Sequence, residues 1–406
     1  MRFPALMLFL VLPGLLSAQQ RKPRARDLGI PFPGTTGTHN AITDVAGVTV
    51  GQVTLNSGSG KLVEGKGPIR TGVTLVNPRG GEWSQPVYAA WHTLNGNGEM
   101  TGTTWIEESG TFAGPVAITN THSVGVVRDA LTMLHHEKDP DQIFGLPVVA
   151  ETFDGGVSDI NGHHVRPEHV RQAMDRSAGG PVAEGSVGGG TGMICHFFKG
   201  GIGTSSRVVS ARAGGWTVGV LVQCNYGSRR RMAVLGAPVG EEMPQPMPCY
   251  PPGQVISVPY MRGLPSCGSR QGLLDAHPRE GLGSIIVIVA TDAPLLPHQL
   301  KKLAKRVSLG LGRDGGLGEN SSGDIFLAFS TMPLPRADSA THTSTVRTLD
   351  DDWLNPLYDA TVSATEEAIV NAMLAATDMK GADDLFVPAL PTERLVAALR
   401  KYGRMP

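Results

Sequence analysis

The chain has 406 residues, of which 40% are hydrophobic and 17% charged, and its formal net charge is −1. This composition describes a globular protein with a large core and excludes collagen-like and disordered chains, because the 53 glycines and 30 prolines follow no period. A net charge so close to zero gives no electrostatic reason to expect nucleic acid or an anionic membrane as a partner. The glycines and prolines instead indicate many tight turns between short strands.

The first 18 residues have the pattern of an export signal. Arg2 provides a positive start, an almost entirely apolar run extends from Ala5 to Leu16, and small residues precede Gln19. The run is too short to span a membrane comfortably, and a retained N-terminal anchor is the alternative. We therefore expect residues 1–18 to be removed and the mature protein to be periplasmic or secreted, without a membrane partner.

The region between the signal and the middle of the chain alternates apolar runs with turns. Residues 19–40 are basic and rich in proline and glycine, which predicts an extended lead-in. Short apolar runs then predict strands, and Val124–His136 has the spacing of an amphipathic helix. The predicted strands are Val45–Val53, Gly72–Val76, Val87–Trp91, Pro115–Thr119, Leu146–Glu151 and Trp216–Cys224. The glycine-rich run 185–192 lacks the Lys-Ser/Thr ending of a phosphate loop, so it is interpreted as a structural turn.

The segment 227–283 differs from the rest of the chain. It contains the run 229–231 of three arginines, many prolines and little periodicity, so it predicts a long loop. Loops of this length inside a compact domain are usually functional or processed.

The pattern becomes regular again after residue 283. Strands are predicted at Ser284–Thr291 and Asp324–Ser330, with an amphipathic helix at Pro297–Leu309 between them. The sequence Ser363-Ala-Thr-Glu366 matches a capping box and predicts the start of a further helix. Strands and helices that alternate in blocks in this way predict layered α+β packing.

The four cysteines suggest different environments. An exported protein is permitted disulfides, and Cys249 and Cys267 flank a proline-rich stretch that they can close, although the sequence leaves this pairing open. Cys195 and Cys224 lie in apolar or glycine-rich surroundings, where buried thiols are expected. The absence of a CxxC pair and of HExxH means that the sequence predicts no metal site.

The sequence Gly281-Leu-Gly-Ser284 runs directly into the most apolar predicted strand. This arrangement suits a chain that cuts itself between Gly283 and Ser284. The cut gives Ser284 both a nucleophilic hydroxyl and an α-amino group, which titrates near neutrality and can accept the hydroxyl proton. A β-turn that simply leads into a core strand is the alternative.

Polar residues also occur at the ends of other predicted strands. Glu151 and Asn225 each follow an apolar run, and the run Ser322-Gly-Asp324 opens another. Such residues can converge with Ser284 on one pocket.

The chain resembles the L-aminopeptidase/D-esterase family, which includes the β-peptidyl aminopeptidases. The resemblance rests on stretches that occur in order along nearly the whole mature chain. They are Asn40–Gly51, Leu94–Gly102, Ile118–Gly125, Val149–Gly155, Gly281–Pro294 and Ser322–Thr331. The resemblance implies an αββα four-layer sandwich of the N-terminal-nucleophile type. It also implies that residues 19–283 and 284–406 form two chains of one domain, and that such pairs assemble into a tetramer.

The resemblance assigns roles to individual residues. Ser284 matches the nucleophile, and Asn225 matches the asparagine of the oxyanion hole. Ser322 and Asp324 match the residues that orient and tune the nucleophile. Glu151 matches the acid that holds the free amine of the substrate. The alternatives are a structural ion pair for Glu151 and a turn-capping role for Asn225.

One further residue fits the resemblance, and two features depart from it. Phe153 falls where the family has an aromatic wall. Some relatives carry Glu in place of Asp324, so the shorter side chain has a different reach. The segment 227–283 can fold over the mouth of the site and restrict substrate size.

We therefore expect an exported, self-processing serine aminopeptidase. It releases N-terminal residues from small peptides, amides or esters through an acyl-enzyme, and it requires no metal or organic cofactor. One alternative is an acyl transferase similar to the ornithine acetyltransferases, which use a threonine nucleophile. The other is an uncut periplasmic protein that binds peptides without turnover.

Overall fold

The computed structural model describes residues 22–141, 145–269 and 283–406. The predicted signal peptide, 1–18, lies outside the described residues. So do residues 19–21 of the lead-in and residues 281–282 of the turn that precedes Ser284.

The described residues contain fourteen strands and seven α-helices. The strands are β1 (Thr49–Ser57), β2 (Ile69–Asn77), β3 (Val87–Gly96), β4 (Thr111–Phe112), β5 (Val116–Asn120), β6 (Val148–Thr152), β7 (Ile194–Cys195), β8 (Phe198–Lys199), β9 (Gly201–Val208), β10 (Thr217–Asn225), β11 (Ser284–Thr291), β12 (Gly323–Ser330), β13 (Met379–Lys380) and β14 (Phe386–Val387). The α-helices are α1 (Thr103–Ser109), α2 (Val124–Lys138), α3 (Pro167–Asp175), α4 (Val239–Glu242), α5 (Pro297–Arg313), α6 (Asn355–Ala375) and α7 (Thr392–Lys401).

Two large sheets form the centre of the molecule. One has six strands in the order β4-β3-β12-β11-β10-β9, and the other has four in the order β1-β2-β5-β6. In the six-stranded sheet β11 pairs parallel with β12 and antiparallel with β10. In the four-stranded sheet β5 and β6 are parallel, so both strands end at the same edge.

The sheets are covered by helices on their outer faces. Helices α2 and α3 pack on the four-stranded sheet, and α5 and α6 pack on the six-stranded sheet. The alternation of side chains along β11 separates two cores: Ile285 and Val287 face α5 and α6, whereas Ile286 and Ile288 lie between the sheets. The fold is therefore α+β, with the four-layer αββα arrangement expected from the sequence.

Helix α5 follows its sequence signals closely. Pro297 occupies the first turn, where its missing N–H is not needed, and the Gln299 side chain accepts a hydrogen bond from Leu296 N–H. Leu303 and Val307 are buried on its inner face, as predicted. The helix ends at Arg313, one turn beyond the predicted end.

The predicted start of helix α6 was wrong. The helix begins at Asn355, so the apparent capping box Ser363–Glu366 lies in its interior. Threonines in this helix bond back to the preceding turn, as Thr361 Oγ1 does to Leu357 O at 2.7 Å, so hydroxyl residues here do not mark a helix end. The helix is buried over most of its surface, which removes the polar face that would have shown its length.

The N-terminal segment is bound to α6 by buried charges. Glu367 is buried and accepts hydrogen bonds from Arg207 Nη2 at 2.6 Å, Arg26 Nε at 3.0 Å and Asn40 Nδ2 at 2.5 Å. Two arginines and one amide therefore compensate a single carboxylate on the helix. Residues 22–40 are held against the helical layer by this cluster.

We predict that Glu367→Ala lowers the free energy of unfolding by about 3–5 kcal/mol, because it leaves Arg207 buried without its anionic partner. Asp359→Ala, at an exposed position of the same helix, is the matched control and should change stability by about 0.5 kcal/mol or less. Chemical denaturation of both variants measures the difference. Equal free energies of unfolding for Glu367→Ala and Asp359→Ala would contradict a stabilising role for the cluster around Glu367.

Candidate active site

The polar residues at the strand ends of the six-stranded sheet are neighbours in space. The register of β10 and β11 pairs Asn225 with Ser284, and that of β11 and β12 pairs Ser284 with Gly323. The last residue of one strand and the first residues of two others therefore meet at one edge. Ser284 lies in the middle of this group.

A cavity of about 420 Å³ opens at this edge. The sequence-predicted residues Glu151, Phe153, Asn225 and Ser284 all line it. Glu151 and Phe153 come from the end of β6, so the cavity is built from both sheets. Gln223 bridges the sheets beneath it, because its Nε2 donates to Thr119 O at 3.0 Å and to Thr152 Oγ1 at 2.8 Å.

The bond between Gly283 and Ser284 is held tightly. Ser284 is only 5% exposed, and its Oγ accepts a hydrogen bond from Gly323 N–H at 3.2 Å. The same N–H lies 3.3 Å from the carbonyl oxygen of Gly283. Gly283 has φ = +141°, and a Cβ at this position would lie 1.9 Å from Asn225 O, so only glycine fits before the serine.

Ser322 and Asp324 lie on either side of Gly323 and are both fully buried. Ser322 Oγ donates to Asp324 Oδ1 at 2.5 Å, and Asp324 N–H donates to Asn95 Oδ1 at 2.8 Å. Burial raises the pKa of Asp324 to about 6. The aspartate, despite its short side chain, therefore reaches Ser322 directly.

Asn225 is bound to two segments distant in sequence. Its Oδ1 accepts from Ile194 N–H at 2.7 Å, and its Nδ2 donates to Phe153 O at 3.0 Å. These bonds fix the amide plane at the cavity wall and differ from the local bonds of a turn-capping asparagine. The amide nitrogen carries two N–H groups, and one of them bonds to Phe153 O. Because the amide plane is fixed, the direction of the other N–H is fixed as well.

Glu151 presents a buried carboxylate to the cavity. The residue is 3% exposed, and its carboxylate accepts hydrogen bonds from Thr121 Oγ1 and from Glu99 N–H, the latter at 3.1 Å. Burial raises the pKa of Glu151, although both hydrogen bonds oppose this effect. Within residues 22–141, 145–269 and 283–406, no basic side chain forms an ion pair with Glu151. The carboxylate is therefore held by neutral donors at the wall of the cavity.

A second carboxyl group lies close to Glu151. Asp154 is fully buried, and its Oδ2 accepts from Asn120 Nδ2 at 2.9 Å. Burial raises the pKa of Asp154 to about 7, and the negative charge of Glu151 contributes in the same direction.

The glycine-rich run has a structural role, as expected. Residues 188–192 form a buried 3₁₀ turn that leads through Met193 to Ile194, whose N–H bonds to Asn225. The fully buried Lys199 donates from Nζ to Met193 O at 2.7 Å and to Gly200 O at 2.9 Å. Burial lowers the pKa of Lys199 to about 7. This lysine therefore braces the segment that positions Asn225.

The cysteines are all paired. Cys249 bonds to Cys267 and Cys195 bonds to Cys224, so the expectation of buried thiols at Cys195 and Cys224 was wrong. These two residues are 29 positions apart, and apolar surroundings alone do not reveal that the chain brings them together. The Cys195–Cys224 bond lies directly beside the hydrogen bond between Ile194 and Asn225.

Part of the segment 227–283 folds against the cavity, as the sequence suggested. Pro248, Met261 and Leu264 line it, and with Ile194 and Phe197 they make one wall largely apolar. Residues 270–282 of this segment lie outside the described residues.

Sequence reasoning missed several residues of the site. Asn95, Asn97 and Thr121 occur within the family-like stretches 94–102 and 118–125, so a signal for them existed. Ile194 contributes a backbone N–H, which any residue except proline supplies, and its identity therefore carried no signal.

The part of the chain that the structure describes holds no group of three His, Cys, Asp or Glu side chains placed to bind a metal ion. In the same residues, no helix combines the length and the apolar character needed to cross a bilayer.

Comparison with known proteins identifies the family. Residues 40–387 match Peptidase family S58. The chain belongs to this family. It is 52% identical over 406 residues to the beta-peptidyl aminopeptidase BapA of Sphingosinicella microcystinivorans, covering 100% of this chain and 98% of the relative. The corresponding protein of Sphingosinicella xenopeptidilytica is 44% identical over 382 residues, covering 93% and 91%.

Solved structures agree with this assignment. A beta-aminopeptidase of Burkholderia sp. superposes with a TM-score of 0.80 at 48% identity, covering 95% of this chain and 100% of that one. The L-aminopeptidase D-Ala-esterase/amidase of Ochrobactrum anthropi gives 0.81 at 45% identity with the same coverage. It is described as a prototype for the serine aminopeptidases and a variant of the Ntn (N-terminal-nucleophile) hydrolase fold. The S58 protein is therefore an aminopeptidase with a fold of the N-terminal-nucleophile type.

We predict that Asp154→Asn removes part of the pH dependence of stability. Because the pKa of Asp154 is raised, the folded wild-type protein binds more protons than the unfolded chain between pH 3.8, the ordinary pKa of an aspartate, and about pH 7. Relative to the variant, the wild-type free energy of unfolding should fall by up to about 1.4 kcal/mol per pH unit across this range and level off above it.

Urea unfolding at a series of pH values measures this effect. Asp129→Asn, at an exposed position of α2, is the matched control and should follow the wild type. Parallel curves for wild type and Asp154→Asn would show that burial does not perturb this carboxyl group.

Proposed function

We propose that this S58 aminopeptidase is exported, activates itself by cutting the Gly283–Ser284 bond, and then acts through Ser284. The observation that carries the proposal is the position of Gly323 N–H, 3.3 Å from the carbonyl oxygen of Gly283 and 3.2 Å from Ser284 Oγ. One donor therefore contacts both the oxygen that becomes negative during cleavage and the atom that attacks.

Self-cleavage follows from this contact as an acyl shift. Ser284 Oγ attacks the carbonyl carbon of Gly283, and the hydroxyl proton passes to the amide nitrogen, which leaves as the α-amine of Ser284. Water then hydrolyses the resulting ester to a Gly283 carboxylate and a free hydroxyl. Ser322 and Asp324 are proposed to orient the attacking hydroxyl from the neighbouring strand.

The freed Ser284 is proposed to attack substrates in the same way. Its α-amine accepts the hydroxyl proton, since this group titrates near neutrality. The N–H of Asn225 that does not bond to Phe153 stabilises the oxyanion, and the loss of such a donor typically costs about 3 kcal/mol. The acyl-enzyme is then hydrolysed by water.

The Glu151 carboxylate is proposed to select substrates with a free amine. A protonated N-terminal amine placed at this carboxylate supplies the positively charged partner that Glu151 does not have among the described residues. Two relatives are named beta-peptidyl aminopeptidases and one structural neighbour an aminopeptidase, esterase and amidase. We therefore propose short β-peptides, amino-acid amides and esters as substrates.

Export is supported by two independent features. The first 18 residues have the pattern of a signal peptide, and the described protein contains two disulfides. A periplasmic or secreted location is consistent with both. The tetramer of processed pairs stays a prediction that light scattering can check.

We predict that Ser284→Ala remains one full-length chain and hydrolyses no substrate. A denaturing gel with intact mass measurement separates this result from wild type, which should show a second chain beginning at Ser284. Ser339→Ala, in an exposed loop, is the control and should be cut and active. A processed and active Ser284→Ala protein would overturn the mechanism.

We predict that Glu151→Gln raises KM for free-amine substrates by about 10–100-fold while self-cleavage remains complete. The substitution keeps the size of the side chain but removes the charge-assisted bond to the amine, which contributes about 1.5–3 kcal/mol. Glu108→Gln, at an exposed position of helix α1, is the control and should leave KM unchanged. Loss of self-cleavage in Glu151→Gln would indicate a structural role instead.

A further inference from the structure

The segment Cys249–Cys267, here called the flap, is closed into a loop by its disulfide. Two of its side chains, Met261 and Leu264, line the cavity that contains Ser284. Both pack against the buried cluster that contains Leu385 and Val387, and so does Ile194, whose N–H holds Asn225. The flap therefore contacts the part of the site in which the carbonyl group of the substrate is proposed to react.

The first half of the flap is fastened to the C-terminal part of the chain. Cys249 N–H donates to Phe386 O at 3.0 Å, and Phe386 N–H donates back to Cys249 O at 2.9 Å. Ser257 N–H donates to Asp383 Oδ2 at 2.6 Å. These bonds hold residues 249–257 in place.

The second half of the flap has different attachments. Met261 and Leu264, within residues 258–267, pack against the buried cluster that contains Leu385 and Val387. The attachments of this half also include the disulfide and two backbone bonds to Tyr250. These bonds are Tyr250 N–H to Pro265 O at 3.1 Å and Cys267 N–H to Tyr250 O at 2.8 Å. In the uncut chain, the peptide backbone also connects this half to Ser284. Cleavage at Gly283–Ser284 removes that connection.

We propose that the flap forms the side-chain specificity wall of the enzyme, and that the Cys249–Cys267 disulfide replaces the covalent tether that self-cleavage removes. The proposal rests on the proposed function. The N-terminal residue of a substrate is fixed at its amine by Glu151 and at its carbonyl by Asn225 and Ser284. Its side chain then projects toward Ile194, Met261 and Leu264, which form an apolar surface. A disulfide closes a loop against unfolding, so it keeps this surface in position after the cut.

The first test compares two p-nitroanilide substrates with a free β-amine, one with a methyl and one with an isobutyl side chain on the N-terminal residue. Leu264→Ala and the double variant Cys249→Ser/Cys267→Ser should each lower the isobutyl-to-methyl ratio of kcat/KM by about tenfold. Val255→Ala is the matched control, because this flap side chain is 74% exposed and does not line the cavity. An unchanged ratio in fully processed Leu264→Ala would overturn the proposed wall.

The second test measures the tether without using activity. Arg262 lies at an exposed position in the second half of the flap, so trypsin cleavage there reports its attachment. The processed double cysteine variant should be cut at Arg262 at least about tenfold faster than processed wild type. The same cysteine substitutions in an uncut Ser284→Ala chain should have a much smaller effect. Equal acceleration in cut and uncut chains would overturn the tether.

These results are distinguishable from a failure of the proposed function. A wild-type chain that is never processed, or a processed Ser284→Ala chain, would overturn self-cleavage itself. Complete processing with an unchanged substrate ratio and unchanged trypsin cleavage would overturn only the role of the flap.

Discussion

The pairing of Ser284 with Asn225 on one side and with Gly323 on the other is the constraint on which the rest of the structure depends. It places a hydroxyl, an amide and a backbone N–H at one end of three adjacent strands. Both sheets and their helical layers bury the remainder of these strands, so the register is set by many apolar contacts. A shift of one residue would turn Ser284 to the opposite face of the sheet.

The sequence predicted the elements with strong apolar patterns. The strand β11 and the helices α2 and α5 lie close to their predicted positions, because each has one continuous apolar run or face. The strand β9 was missed because its buried residues are largely small or polar: Ser205 Oγ donates to Ala364 O at 2.7 Å, and Thr204 Oγ1 donates to Val220 O at 2.6 Å. Hydroxyl groups that are satisfied by backbone carbonyls allow burial that hydropathy does not show.

The candidate site was predictable to a different degree at each position. Ser284, Asn225 and Glu151 stand at the ends of apolar runs, and the family resemblance drew attention to all three. The contributions of Lys199 and of the Cys195–Cys224 bond depend on contacts between segments that no local pattern connects. The resemblance implied which residues belong to the site, whereas the supporting contacts required the three-dimensional structure.

The position of Gly283 bears on when the enzyme would become active after cleavage. This residue lines the cavity, beside the N–H of Gly323 that also contacts Ser284. If the chain is cut there, the carboxylate of Gly283 is the first product that the site makes, and it forms inside the space that later substrates enter. An anion beside a hydrogen-bond donor is favourably placed, so this chain end would act as an internal product inhibitor until it moves away. Maturation would then have two stages, bond cleavage followed by departure of the new C-terminus, and activity would begin only with the second.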